Sequence, residues 1–158
     1  MTERKIVFNS NTTNPIEEYT EVKPSKIHGL GVFAKKLIPK GTVWWHAREK
    51  DVLIINKEQF RILDLSFKSA QMESFMKILL TYSYYERDLG VLVFCLDNSR
   101  YVNHSSDDNS GPPEDDSDFC SVAQRDIQIG EEILEDYSKY THCSWLEKYL
   151  GFFNPACW

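Results

Sequence analysis

The apolar residues of this chain fall in short runs that turn residues interrupt, and this pattern limits the folds open to it. Typical runs are Thr42–His46, Asp51–Asn56 and Val91–Leu96, the last of which is unbroken and ends at Asp97. Short apolar runs bounded by Gly, Pro, Asn or Asp are typical of β-strands. None approaches the roughly 18 apolar residues of a membrane-spanning helix. The pattern therefore predicts a protein of many short strands.

Further elements follow from the spacing of apolar residues. Four more strands are expected, at Tyr19–Lys23, from the Gly29 bend to Ala34, at Phe119–Gln124 and at Glu131–Tyr137. Apolar residues at helical spacing instead predict helices, at Lys57–Leu65, Ser69–Tyr82 and Ser144–Phe153. This order lacks the strand–helix alternation of doubly wound sheets, so the predicted fold class is α+β and β-rich.

Length and composition indicate one domain with a real core. The chain has 158 residues, of which 42% are hydrophobic and 13% aromatic. Residues 1–18 are polar and without periodicity, and we interpret them as an N-terminal tail or a loosely docked arm. The predicted division is this tail, a main domain over residues 19–138, and an aromatic, helical C-terminal segment over residues 139–158.

The N-terminus and the cysteines point to an intracellular setting. The first residues are polar and lack the apolar stretch of a signal peptide, so a soluble, intracellular protein is expected. Such a chain keeps its cysteines as free thiols rather than as disulfides. The four cysteines are Cys95, Cys120, Cys143 and Cys157.

Charge is unevenly distributed along the chain. Residues 1–61 hold 11 basic and 7 acidic residues, whereas residues 62–158 hold 7 basic and 17 acidic ones, a balance of −10. This acidic part is a poor match for nucleic acid. It favours a cationic partner, such as a Lys-rich protein, through long-range attraction. The alternative is that the acidic surface only keeps the protein in solution.

Three segments stand out as motifs, and each is ambiguous alone. Gly29-Leu30-Gly31 lets the backbone approach a neighbour closely, but it also fits an ordinary turn. Arg100–Ser105 places a guanidinium, an amide and an imidazole within six residues, which also fits a strand-to-loop corner. Gly130–Tyr137 reads as a turn feeding a strand that ends in a tyrosine. Their order and spacing are more informative than any one of them.

Taken together, the three motifs resemble the SET-domain family of lysine methyltransferases, which use S-adenosylmethionine. Supporting matches are the Ile-Pro-x-Gly turn within Lys35–Thr42, Cys95–Asn98 ahead of the Asn-His pair, and Val122–Ile127. The resemblance covers residues 19–138 and is to short, single-domain members. It implies a SET fold of several short strands in small sheets with a few helices, and a C-terminal segment threaded to form the site.

The chain departs from many family members in two places. The Asn-His-Ser segment continues with Ser106-Asp107-Asp108-Asn109 rather than with Cys and Pro-Asn. The zinc module that often follows the last motif is not expected, because the cysteines are separated by 25, 23 and 14 positions. No metal site is therefore predicted, and the aromatic segment 139–158 is the candidate cover of the site.

The resemblance implies a role for individual residues. Tyr137 matches the catalytic tyrosine, and Tyr84 is the expected second tyrosine of a lysine channel, with Tyr82 and Tyr85 as alternatives. Glu135 and Asp136 are expected to bind the substrate. The expected cofactor-binding residues are Leu30, Gly31, Arg100, Asn103, His104 and, by stacking on the adenine, Trp145.

The implied function is a protein-lysine N-methyltransferase acting on a basic, histone-like or other Lys-rich protein, with no direct nucleic-acid or membrane partner. A free lysine has a pKa of about 10.4, and an apolar channel beside a sulfonium disfavours its charged form. One alternative is a SET-fold module that binds basic peptides without turnover. Another is an acidic structural or small-molecule domain whose motifs match by chance.

Overall fold

The computed structural model describes residues 8, 13–66, 70–86, 89–114, 119–139, 143, 145, 146 and 149. Its helices are α1 Ile16–Tyr19, α2 Lys57–Leu65 and α3 Ala70–Thr81, with 3₁₀ helices at Asn98–Tyr101 and Tyr137–Lys139. Its strands are β1 Thr20–Pro24, β2 Leu30–Ala34, β3 Val43–His46, β4 Val52–Asn56, β5 Ser83–Glu86, β6 Val91–Cys95, β7 Asn103–His104, β8 Ser110–Gly111, β9 Cys120–Ala123 and β10 Leu134–Glu135.

The strands form three small sheets. β1 and β2 make an antiparallel pair, and β4, β6 and β5 make an antiparallel sheet in that order. The third sheet has the order β3-β9-β8-β10-β7, in which β10 runs parallel to both of its neighbours. Because β10 comes late in the chain and lies between two earlier strands, this sheet joins segments that are distant in sequence.

Two apolar clusters form the core, and β6 belongs to both. Val91, Val93 and Cys95 face the first cluster, whereas Leu92 faces the second. The period-2 alternation of a strand explains how one strand serves two cores. Burial raises the pKa of the Cys95 thiol to about 12, so this thiol stays protonated and acts as an apolar packing group.

Helices α2 and α3 confirm the two predictions that were made from apolar residues at helical spacing. α2 has the predicted bounds, because Asn56 and Gln59 form a capping box: each side chain accepts a hydrogen bond from the other residue's backbone NH at 2.9 Å. α3 buries Met76, Leu79 and Leu80, which share one face. Among the described residues, no helix is long and apolar enough to cross a membrane.

Some elements differ from the prediction. β5 was not expected, and the two-residue strands β7 and β8 lie where a corner and a loop were expected. The strand expected over Glu131–Tyr137 is limited to Leu134–Glu135, and Tyr137 begins a 3₁₀ turn instead. The helix expected at Ser144–Phe153 lies mostly outside the described residues.

Residues 13–18 are docked on the core rather than extending as a tail. Ile16 in α1 is 4% exposed. The Asn14 amide donates to Asp97 Oδ2 at 2.7 Å and to Asp51 Oδ2 at 3.2 Å. Trp45 Nε1 donates to the same Asp97 oxygen at 2.8 Å. The polar side chain of Asn14 therefore fastens this segment, which is why the segment shows no apolar periodicity.

Asp51, at the same junction, is a buried carboxylate. Arg48 donates to it from Nε at 2.6 Å and from Nη2 at 3.0 Å. Burial alone would raise the pKa of Asp51, but the hydrogen bonds from Arg48 and Asn14 outweigh burial and lower it. The carboxylate therefore stabilises the fold in its ionised form.

Candidate active site

The motifs Gly130–Tyr137 and Arg100–Ser105 meet because β10 pairs with β7 and β8. Leu134 lies opposite Asn103, and Glu135 lies opposite both His104 and Ser110. The Asn-His pair and the tyrosine two residues beyond β10 are thus brought to one end of the five-stranded sheet.

Tyr137 is held at both its backbone and its hydroxyl. Its hydroxyl donates a hydrogen bond to the Val102 carbonyl, and its backbone NH donates to His104 Nδ1 at 3.0 Å. The Tyr137 and His104 rings lie 5.6 Å apart between centroids, with an interplanar angle of 34°. A phenol whose proton is directed to a carbonyl presents its oxygen as a hydrogen-bond acceptor. This geometry suits an oxygen that receives a hydrogen from an incoming group.

The same contacts define the state of His104. Because Nδ1 accepts from the Tyr137 backbone, the neutral imidazole carries its proton on Nε2. Asp136 Oδ1 lies 3.8 Å from Nδ1 and accepts from the Ser138 hydroxyl at 2.6 Å and the Ser138 NH at 3.0 Å. The Ser138 hydroxyl is the main cause of the lowered pKa of Asp136. The carboxylate thus forms the turn that carries Tyr137.

Asn103 connects the Gly-x-Gly bend to this centre. Its side-chain amide lies 2.9 Å from the Leu30 carbonyl, 3.2 Å from the His28 carbonyl and 2.8 Å from Glu132 Oε1, and donates to all three. Asn103 is 8% exposed. The structure therefore brings together Leu30, Gly31, Asn103, His104 and Tyr137, as the resemblance implies for a single site.

Glu132 is a member of this arrangement that sequence reasoning missed. Its carboxylate accepts from Ser25 Oγ at 3.0 Å as well as from Asn103. A Cβ added at Gly31 would lie 2.8 Å from Glu132 Cδ and closer still to Oε1. The group that approaches the glycine bend in this structure is thus a carboxylate. The available sequence signal for this contact was Gly31 in the first motif together with the acidic residue Glu132 in the last motif.

The three candidate channel tyrosines have different surroundings. Tyr84 packs against the first core cluster, which contains Val102, the residue that accepts the Tyr137 hydroxyl. Tyr85 packs against the second cluster, and burial raises its pKa. Tyr82 makes an edge contact with the Tyr101 ring at 5.9 Å. Adjacent positions of a strand point to opposite faces, so Tyr84 and Tyr85 lie on opposite faces of β5, with Tyr84 on the face of the first cluster.

Arg100 and Trp145 make contacts other than those expected of cofactor ligands. The Arg100 guanidinium donates to the Leu96 carbonyl at 2.6 Å and to Tyr101 Oη at 3.0 Å, so it supports its own 3₁₀ turn. The Trp145 ring lies 5.2 Å from Phe60 and 5.9 Å from Tyr85, within the second core cluster. Both residues thus have contacts within the chain, and their expected cofactor-binding roles stay predictions.

Glu135 does not lie on the surface, contrary to its expected role as a substrate-binding acid. It is 7% exposed, and Oε1 accepts from Ser110 Oγ at 3.0 Å. A glutamate followed by an aspartate reads as exposed in the sequence, but β10 turns the Glu135 side chain inward. Asp136 remains partly exposed beside His104.

Other acids near the site have partners within the chain. Glu131 pairs with Arg125 at 2.6 Å, and Asp108 pairs with Lys139 at 2.7 Å. Burial would raise the pKa of Glu131, but hydrogen bonds from Arg125, Gln128 and Asn109 lower it overall. Residues 115–118 of the acidic loop lie outside the described part of the chain. The described acids would therefore attract a cation through their summed electrostatic field rather than through carboxylates free to form a new ion pair.

Comparison with known proteins agrees with this arrangement. The SET domain family matches residues 29–138, which hold all three motifs. No curated protein matches the chain in sequence. A Plasmodium falciparum protein with a provisional assignment as a histone methyltransferase shares 20% identity at a TM-score of 0.49, over 80% of this chain and 96% of its own.

Two structures of Polycomb repressive complex 2 from Chaetomium thermophilum share the fold. One, autoinhibited and bound to S-adenosylmethionine, has a TM-score of 0.57 and 18% identity over 84% of this chain. The other, a humanized mutant bound to an inhibitor, has a TM-score of 0.53 and 20% identity over 79% of this chain. The chain spans only 16% of the length of each. The β-rich α+β fold predicted from the motifs is confirmed, and the chain belongs to the SET domain family.

Proposed function

We propose that the chain is an S-adenosylmethionine-dependent protein-lysine N-methyltransferase. The observation that carries the proposal is the placement of Tyr137. Its hydroxyl donates to the Val102 carbonyl and its backbone NH donates to His104 Nδ1. Beside it, the Asn103 amide donates to the Leu30 carbonyl of the glycine bend. A SET-family relative of known structure binds S-adenosylmethionine, which supports the choice of cofactor. We retain residues 19–138 as the catalytic domain and 139–158 as the segment that covers the site.

The conformation and exposure of the glycine bend support the choice of this cofactor. Gly29 has a φ of +48°, and nothing lies within 4 Å of the position that its Cβ would take. Leu30 is 42% exposed. This leaves a backbone edge open for contact with the amino-acid end of S-adenosylmethionine, with His104 and the Asn103 backbone as further neighbours. When bound, the cofactor supplies an electrophilic methyl group on a positively charged sulfur.

The residues of the chain then position the amine and exclude water. Methyl transfer needs a neutral amine nitrogen in line with the bond to sulfur, and an apolar channel near a positive charge favours that neutral form. The Tyr137 oxygen is placed to accept a hydrogen bond from this amine, and Tyr84 is the proposed second wall of the channel. Alignment of two reactants is worth several kcal/mol of barrier reduction.

A basic protein is the proposed substrate class. The balance of −10 over residues 62–158 produces a negative field around the site. Because the described acids beside Tyr137 already have internal partners, this field would speed encounter with a cationic peptide more than it would hold the peptide in place.

Replacing one hydroxyl tests the proposal. Methyl transfer from labelled S-adenosylmethionine to a panel of basic proteins is measured for the wild type, Tyr137→Phe and Tyr85→Phe. Tyr137→Phe is expected to lower turnover by about 10²-fold, the scale for loss of one preorganised polar group, with cofactor affinity unchanged. Tyr85→Phe, on the opposite face of β5, is the matched control and should retain turnover.

Two results would contradict the proposal. Near wild-type turnover by Tyr137→Phe would remove this residue from the mechanism. A wild type that binds the cofactor tightly but transfers no methyl group to any basic protein would instead favour the non-catalytic module.

A further inference from the structure

Glu135 is a buried carboxylate with a directed set of hydrogen bonds. It is 7% exposed, and its Oε1 accepts from the hydroxyl of Ser110, which is fully buried. The same hydroxyl oxygen accepts from Trp44 Nε1 at 2.7 Å. The bonds thus run from β3 through β8 to β10, and they end two residues before Tyr137.

The direction of these bonds follows from the chemistry of the groups. An indole NH can only donate, so the Ser110 oxygen accepts from Trp44 and the Ser110 hydroxyl proton points to Glu135 Oε1. Burying a carboxylate is costly compared with burying an apolar side chain of similar size. A residue that served packing alone would need neither a carboxylate nor the hydrogen bonds from Trp44 through Ser110. The arrangement therefore calls for a further role.

The backbone of Glu135 joins the strands that build the site. Its carbonyl accepts from the Ser105 NH at 3.1 Å, and its register partners are His104 and Ser110. β10 has only two residues, so few backbone hydrogen bonds define its register. Side-chain hydrogen bonds therefore carry much of this register: Asn109 Oδ1 accepts from the Leu134 NH at 2.9 Å, and the Glu135 carboxylate accepts from Ser110.

We propose that Glu135 is a positioning residue, which through Ser110 and Trp44 sets the register of β10 and thereby the place of the Tyr137 hydroxyl beside Val102. This inference rests on the proposed methyltransferase function and deepens it. Glu135 acts from the interior through Tyr137 and His104, and it does not contact the substrate.

The first test compares kinetic constants of four variants. Glu135→Leu and Ser110→Ala remove the anchor and are expected to lower kcat by about 10- to 100-fold, as a small misplacement of a catalytic group does. KM for the peptide and Kd for the cofactor should stay within about twofold, because neither ligand touches Glu135. Glu135→Gln keeps an acceptor for Ser110 and should retain most of kcat. Glu131→Gln, which changes an acid of the same motif that pairs with Arg125, is the matched control.

The second test does not depend on turnover. Nitrogen NMR of the imidazole reports the hydrogen bond from the Tyr137 NH to His104 Nδ1, and the wild type should show the tautomer with the proton on Nε2. Glu135→Leu and Ser110→Ala should weaken this signature, whereas Glu131→Gln should keep it. If the wild type transfers no methyl group, the proposed function fails while this readout still decides the role of Glu135.

Two outcomes would overturn the inference. One is a folded Glu135→Leu protein with wild-type kcat and an unchanged His104 spectrum. The other is a Glu135→Gln protein as impaired as Glu135→Leu, which would mean that the anchor is not the hydrogen bond to Ser110. Should Glu135→Leu fail to fold, Ser110→Ala removes only a hydroxyl and decides the question by the same two measurements.

Discussion

Replacing Gly31 with alanine tests the contact between the glycine bend and Glu132. The new methyl group would lie 2.8 Å from Glu132 Cδ and closer to Oε1, so the carboxylate must move. Moving it breaks the hydrogen bonds from Asn103 and Ser25, which are 2.8 Å and 3.0 Å long. Hydrogen bonds to a charged group contribute about 1.5–3 kcal/mol each to stability.

The net effect is worked out from opposing terms. Gly31 has no positive φ, and alanine is favoured over glycine within a strand by about 0.5–1 kcal/mol. Loss of one charged hydrogen bond exceeds this gain. Gly31→Ala is therefore expected to lower the free energy of unfolding by about 1–3 kcal/mol. In a Glu132→Ala background the main obstacle is gone and only the Phe33 ring, 3.1 Å away, must give slightly, so the same change should alter stability by less than about 1 kcal/mol.

A double-mutant cycle measures this difference. Urea unfolding at 25 °C of the wild type, the two single variants and the double variant gives the coupling free energy, expected at about 2 kcal/mol. Glu131→Ala serves as the matched background, since its carboxylate does not approach Gly31 and the full penalty should persist. Equal penalties for Gly31→Ala with and without Glu132 would refute the reasoning.

Three further outcomes are expected. Asn103→Ala removes the amide that donates to Glu132 Oε1 and to the His28 and Leu30 carbonyls. Calorimetry should then show S-adenosylmethionine binding about 10- to 100-fold weaker. Unchanged affinity in a folded variant would exclude Asn103 from the cofactor site. Asp51→Asn should lower the free energy of unfolding by about 1–3 kcal/mol at neutral pH. Because the folded state lowers the pKa of Asp51, the wild-type advantage should be complete above the unfolded-state pKa of about 3.9 and should shrink as pH falls through the folded-state pKa. A pH-independent difference between the two unfolding free energies would contradict this. Turnover at subsaturating basic peptide should fall as ionic strength rises from 0.1 to 1 M, where the Debye length shrinks from about 10 to 3 Å, and a salt-independent rate would argue against steering.

Elements with a clear apolar pattern were predictable from the sequence. α2 follows its apolar spacing and its capping box, and β6 is a continuous apolar run. β5 was missed because all four of its residues are partly buried, so the strand shows no alternation between polar and apolar positions. The two-residue strands β7 and β8 are too short for any periodicity to show.

The site was predictable as a set of motifs but not as a set of contacts. The order of the motifs identified Tyr137, Asn103 and His104, which the structure brings together. Glu135 was misjudged because its partner Ser110 lies 25 positions away, and nothing local shows that a carboxylate will be buried. Glu132 was missed for the same reason, since its partners are in β7 and the β1–β2 bend.

The insertion of β10 between β7 and β8 has a consequence for how the chain acquires its site during synthesis. β7 and β8 leave the ribosome before β10, and the gap between them in the five-stranded sheet is filled only when residues 134–135 emerge. Until then both neighbouring strands present unpaired edges, which are sites of aberrant pairing. The phenol follows directly behind the strand that closes the gap. Completion of the sheet and placement of the Tyr137 phenol therefore follow one another within a few residues, and nascent chains that end before residue 134 have neither.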